Sequence, residues 1–212
     1  MFCAGLDLKA LHDQTPETLH EFWLAFQDML LSIYSSKTIV VAELGGHCIA
    51  GGYMIALCAD SRVAAPGIKV GLNEAAFGLV APYFGVDMMT HMADRRVTNR
   101  AVSLGTLFDT TDAATLNQGL VDVVCSSFDS VNANANASVK ETVQAAAIDE
   151  CELWLRAPGR QQSKELIRAE YIERFRNNRE KEARRFVGAV TDPTTQKMIG
   201  DYMLALKQKK KK

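Results

Sequence analysis

Three short segments of this 212-residue chain combine glycine with a lone acid or a free backbone donor in a way that packing alone does not require: Phe2-Cys-Ala-Gly-Leu-Asp-Leu8, Gly46-His-Cys-Ile-Ala-Gly-Gly52 and Gly71-Leu-Asn-Glu-Ala-Ala-Phe-Gly78. In the second, Gly51 stands at the start of an apolar helix. There the first N–H groups lack intrahelical partners and carry partial positive charge. Glycine permits a ligand oxygen to approach the backbone, and an apolar interior strengthens the attraction. Close packing of helix on strand would explain the same glycines. The acid of the third segment, Glu74, could move a proton, although on composition alone a glutamate is most simply a solvated side chain.

The elements that must position these segments follow from periodicity. Thr15-Pro16-Glu17 reads as an N-cap with proline in the first turn. Leu19, Phe22, Trp23, Phe26, Met29, Leu30 and Ile33 then recur at helical spacing up to Tyr34. Thr38-Ile-Val-Val-Ala-Glu-Leu44, followed by Gly45-Gly46, reads as a buried strand ending in a tight turn. Gly51-Gly52 leads into an apolar helix over Tyr53–Ala59, and Asp60–Ala65 returns as a strand. Strand, helix and strand make a βαβ unit, hence an α/β fold. Gly71 to Gly85 is expected to be irregular and Val86 to Leu104 a helix with Arg95, Arg96 and Arg100 in solvent. A short helix ending at Gly119 and a strand over Leu120–Val124 follow. Helices are predicted beyond Ser138: to Leu155, Gln162–Arg176, Arg179–Val190, and from Pro193 into the lysine tail. Asn132–Ala137 is expected to start the first of these.

Composition narrows the function classes. Hydrophobic residues make up 48% and charged residues 23%, and 24 basic against 25 acidic side chains leave a net charge of -1. That excludes a disordered chain and a dedicated nucleic-acid binder. Five cysteines at 3, 48, 58, 125 and 151 show neither paired nor zinc-type spacing, which fits a reducing compartment and no metal site. The uncharged run Cys48–Ala59 falls short of the roughly 20 apolar residues that span a bilayer, so no membrane span and a soluble chain are expected. The opening residues match neither a signal nor a transit peptide. The terminal Lys207-Gln-Lys-Lys-Lys-Lys212 reads as a solvated helix end.

Other chemical candidates are weaker. His47 has no Ser or Cys nucleophile motif beside it and reads as a turn residue. His12, His20 and His91 show no ligand spacing. Asp60 is expected to bond backbone or an arginine, Asp7 to brace the first loop, and Lys9 to be exposed.

In order and spacing, the three segments resemble the crotonase superfamily of enoyl-CoA hydratases and isomerases, most closely its Δ3,Δ2-enoyl-CoA isomerase branch. The residues that carry the resemblance are Ala4-Gly-Leu-Asp7, Gly51-Gly52, Gly71-Leu-Asn-Glu74 and Gly78-Leu-Val-Ala-Pro82, within a similarity running from Phe2 to about Asp122. The resemblance implies a crotonase-like spiral of ββα units over residues 1–128 and a helical C-terminal region over 129–212 that packs into a homotrimer. It implies that Leu6 and Gly51 supply the N–H groups of an oxyanion hole and that Glu74 is the base. Ala4, Gly5, Leu6, Asp7, Leu8 and Gly51 would bind an acyl-CoA thioester, with no metal and no cofactor beyond the CoA of the substrate.

Hydratases of the family place a second carboxylate about three residues after the oxyanion glycine; here that position is Met54. One acid suffices to take a proton from one carbon and return it to another, whereas hydration needs two, so isomerisation of 3-enoyl-CoA to 2-trans-enoyl-CoA is expected. The alternatives are hydration, thioester hydrolysis, or an inactive fragment acting as a scaffold subunit. The family implies the mitochondrial matrix, with the peroxisome as the alternative. Its pattern begins upstream of residue 1, so the opening strands of the sheet are expected to be missing, which would leave an exposed edge.

Overall fold

The computed structural model describes residues 1–125 and 139–209. The predicted start of a helix at Asn132–Ala137, the boundary at 128/129 and Lys210–Lys212 lie outside the described residues.

A 3-10 turn, Leu8–Ala10, precedes α1 (Pro16–Tyr34). Thr15 caps α1 by accepting the Thr18 N–H, and Pro16 opens it as read from the sequence. Its buried stripe is Leu19, Trp23, Phe26, Gln27, Leu30, Leu31 and Tyr34, whereas Met29 faces solvent. The chain continues through β1 (Val41–Leu44), β2 (Cys48–Ile49), α2 (Gly51–Leu57), β3 (Ser61–Ala64) and β4 (Lys69–Gly71). A second 3-10 turn, Glu74–Phe77, follows. Next come α3 (Tyr83–Met92), α4 (Arg95–Leu104), β5 (Phe108–Asp109), α5 (Ala113–Asn117) and β6 (Val123–Val124). The last three helices are α6 (Val139–Leu155), α7 (Arg160–Thr191) and α8 (Pro193–Lys209).

Two three-stranded sheets form. One is parallel throughout, in the order β1-β3-β6, and contains the β1-α2-β3 unit expected from the pattern. The other runs β2-β4-β5, with β2 parallel and β5 antiparallel to β4. The two-residue strands β2 and β5 were not expected, because so short a ladder leaves no periodicity in the sequence.

The predicted helix over Val86–Leu104 is two helices. The break falls at Ala93-Asp94, where Asp94 accepts the N–H groups of Arg96 and Val97 and starts a new helix. Conversely, the helices predicted over Gln162–Arg176 and Arg179–Val190 are one continuous α7 of 32 residues. Asn178 bonds back to the Arg174 carbonyl at 2.8 Å and remains helical.

The core is continuous across these elements. α7 lies along α1, and Trp23 stacks on Phe186 with centroids 3.7 Å apart. Tyr171, Phe175 and Ala183 of α7 bury into the same cluster as Tyr53, Met54 and Leu57 of α2. A buried ion cluster fixes α7 against the ends of α1 and α2. Asp60 pairs with Lys164 and Arg168, both at 2.8 Å, and accepts the Val40 N–H. Arg168 also donates to the carbonyls of Tyr34, Cys58 and Ala59. No helix of the described residues is long and apolar enough to cross a membrane.

Candidate active site

The three glycine segments are joined by backbone hydrogen bonds. Phe2 and Cys3 both donate to the His47 carbonyl (2.9 and 3.2 Å), Ile49 donates to the Cys3 carbonyl (3.1 Å), and Cys3 forms a parallel bridge with Cys48. On the other side β2 pairs with β4, and the Ala50 N–H donates to the Gly71 carbonyl at 2.9 Å. The first segment therefore lies beside the second and the second beside the third, which brings residues far apart in sequence to one place.

Two glycines make this proximity sterically allowed. Gly5 has φ +97°, and a Cβ on it would lie 2.9 Å from Ala50 Cβ and 3.3 Å from the Gly51 nitrogen. At Gly52 a Cβ would lie 2.6 Å from both Cβ and the carbonyl oxygen of Cys3. The loop carrying Leu6 thus rests directly on the helix start carrying Gly51. Ala50, between them, has φ +52° and ψ -128°, a conformation costly for a residue with a side chain. Among the described residues, neither Leu6 N–H nor Gly51 N–H has a hydrogen-bond acceptor.

Both residues line a cavity of about 440 Å³, together with Ala4, Leu8, Met54 and Glu74. Glu74 opens the 3-10 turn that follows β4, and the Glu74 carbonyl accepts the Leu79 N–H at 3.0 Å. Its Oε2 is buried without a partner among the described residues. Burial pushes its carboxyl up to about 7, opposed only by a hydrogen bond from its own backbone N–H. A carboxyl with that poise can release and take up a proton near neutral pH.

Of the residues singled out from sequence, Ala4, Leu6, Leu8, Gly51 and Glu74 share this cavity. Gly5 lies against Ala50 and Gly51, and Asp7 is exposed, its carboxylate accepting the Lys9 N–H at 3.0 Å as the cap of the first 3-10 turn. Met54, at the position where the family's hydratases carry a second carboxylate on the sequence resemblance, is buried in the cavity wall beside Gly85. His47 accepts the Lys69 N–H on Nδ1, a turn role. His12, His20 and His91 pair with Asp13, Glu180 and Asp87.

The sequence reading missed the wall supplied from the C-terminal third. Glu182, Arg185 and Phe186 of α7 and Met198, Ile199 and Tyr202 of α8 line the same cavity. Tyr202 meets Phe77 edge-on, with centroids 4.8 Å apart. Glu182 and Arg185 carry no motif; the one signal was an acid in a helix otherwise offering Tyr171, Phe175, Ala183 and Phe186 to the interior.

The fold and family are shared with known proteins. Residues 1–185 match the family model described as enoyl-CoA hydratase/isomerase. The chain is 34% identical to the mouse (Mus musculus) protein named "Enoyl-CoA delta isomerase 1, mitochondrial" over 99% of its own length and 69% of the mouse protein's. The crystal structure of human mitochondrial delta3-delta2-enoyl-CoA isomerase superposes with a TM-score of 0.87 at 31% identity, covering 99% of this chain and 77% of that one. Similarity to a "Probable enoyl-CoA hydratase 2, mitochondrial" of Arabidopsis thaliana is 27% identity over 58% of this chain and 40% of the plant protein.

Proposed function

The chain belongs to the enoyl-CoA hydratase/isomerase family and has its crotonase fold, and within that family we propose that it is a Δ3,Δ2-enoyl-CoA isomerase. The observation that carries the reading is Glu74: a half-buried side chain whose Oε2 is buried without a partner among the described residues, its carboxyl pushed up to about 7, in the cavity that also holds the Leu6 and Gly51 N–H groups. In the proposed reaction the thioester carbonyl of a 3-enoyl-CoA docks on Leu6 N–H and Gly51 N–H. Glu74 takes a proton from C2, and the electron pair moves into a dienolate whose oxygen those donors stabilise. Each such donor contributes roughly 3 to 4 kcal/mol. The protonated Glu74 returns the proton at C4, leaving the 2-trans double bond. Protons and electrons balance within the substrate, so the shuttle calls for neither metal nor redox cofactor.

Hydration would need a further carboxylate free to hold water. At the first-turn position the residue is Met54, and the other carboxylate in the cavity wall, Glu182, is already engaged by Tyr83 N–H and Arg185. The names of the mammalian relatives support a mitochondrial setting. A homotrimer is proposed with the family resemblance; exposed Leu153 and Leu155 of α6 and Leu166 and Ile167 of α7 are consistent with an association face.

The test is product analysis on two substrates. From 3-enoyl-CoA the protein should form 2-trans-enoyl-CoA, and from 2-enoyl-CoA it should form 3-hydroxyacyl-CoA far more slowly. Hydration as fast as isomerisation would refute the one-carboxylate mechanism.

A further inference from the structure

Glu182 is 5% exposed, and a buried carboxylate of this kind is costly unless it is paired. It has two partners. Oε1 accepts from Arg185 Nη1 and Oε2 accepts the Tyr83 N–H, each at 3.2 Å. The second bond is the informative one. α3 begins at Tyr83 with Pro82 at its N-cap, a residue with no side-chain acceptor, so the helix has no cap of its own. Glu182 supplies one from a distant helix. The segment ending at that cap, Leu79–Pro82, lines the cavity and begins at the Leu79 N–H bond to the Glu74 carbonyl. Between these ends Val80 is 75% exposed and Ala81 is buried, so beyond its two hydrogen-bonded ends the segment is held by the packing of Leu79 and Ala81.

We infer that Glu182 is a positioning residue: by capping α3 it fixes one end of segment 79–82, and through that segment it holds the turn that presents Glu74. The inference rests on the proposed role of Glu74. Geometry and charge make different demands here. If the cap matters, any acceptor of similar reach will serve; if the negative charge matters, an amide will not. The charged or titratable side chains sharing the cavity with Glu74 are Glu182, Arg185 and Tyr202, and α4, packed against the turn, carries Arg95, Arg96 and Arg100 on its exposed face.

The experiment compares wild type, Glu182→Ala and Glu182→Gln by pH profiles of isomerisation and by amide hydrogen exchange at Tyr83. Alanine should lower kcat about tenfold with KM changed less than about threefold, since misplacing a reacting group acts on the chemical step. It should also move the acid limb of kcat/KM downward, because a loosened turn admits water to Glu74, and it should speed exchange at Tyr83. Glutamine keeps the acceptor, drops the charge, and should restore all three. A mere loss of folded protein would lower kcat without moving the acid limb. Glutamine behaving like alanine, or alanine leaving both kcat and the limb at wild-type values, would overturn the inference. Should the alanine variant not fold, glutamine still decides: slow Tyr83 exchange with an intact profile supports positioning, and fast exchange with an intact profile refutes it. A wild type inactive on 3-enoyl-CoA would instead remove the isomerase reading, and Tyr83 exchange would still report whether the cap exists.

Discussion

Ala50 donates its N–H to the carbonyl of Gly71 at 2.9 Å, and that bond ties the helix start bearing Gly51 to the strand end from which Glu74 follows three residues later. The placement of Glu74 relative to the Gly51 N–H is thus a property of the β2–β4 pairing. The chemistry of the cavity can be tested one group at a time.

Glu74→Gln keeps the side chain's shape and removes its ability to accept a proton. Turnover of 3-enoyl-CoA should fall by about 10²-fold or more, while acyl-CoA binding measured by calorimetry should stay close to wild type. Retention of a tenth of wild-type kcat would contradict the role of base.

The pH dependence follows from the direction of the Glu74 shift. Only the ionised carboxylate can take the C2 proton, so kcat/KM should rise with pH through about 7. Stability should run the other way. The folded state holds this proton more tightly than the unfolded state, so the contribution is present at acidic pH and is lost as pH rises through about 7. Glu74→Gln should therefore match wild type at about pH 4, below the ordinary glutamate value, in urea unfolding and exceed it at about pH 8, by at most about 3 kcal/mol.

Met54→Glu should raise the ratio of 3-hydroxyacyl-CoA formed from 2-enoyl-CoA to 2-enoyl-CoA formed from 3-enoyl-CoA. The first-turn position places a carboxylate where it can hold water. Burial will keep part of it protonated, and the Met54 chain already sits against Gly85 so closely that a Cβ there would meet it at 3.2 Å. The gain should be modest, visible in the product ratio rather than in rate; an unchanged ratio would count against the argument.

Asp60→Ala strips Lys164 and Arg168 of their shared carboxylate while leaving both cations buried. A loss of about 3 to 5 kcal/mol in denaturant unfolding is expected. A loss below 1 kcal/mol would show that the backbone carbonyls of Tyr34, Cys58 and Ala59 suffice to hold Arg168.

What could be read in advance depended on how local the cause was. α1 was legible because Thr15, Pro16 and the apolar stripe are all local signals, and β1-α2-β3 because glycine and β-branched runs mark its joints. Glu74, Leu6 and Gly51 were legible only through the order of three motifs together, since each alone is ambiguous. The break at Asp94 was missed even though its cap is a local signal, because the apolar pattern on either side stays in phase. The continuity of α7 through Asn177-Asn178 was missed because tertiary packing along α1 overrides weak helix propensity there. Glu182 and Arg185 were illegible because only the folded chain brings residue 182 to residue 83.

The nitrogen of Ala50 is bound to Gly71, its carbonyl accepts from Tyr53 and Met54, and its torsions lie in a sparsely populated region. Three hydrogen bonds hold it in that conformation, so the orientation of the adjoining Gly51 N–H is set by the fold itself. On the proposed role of that N–H, an incoming carbonyl would meet a donor already in place, and the ordering entropy that a flexible loop would lose on binding would have been given up beforehand.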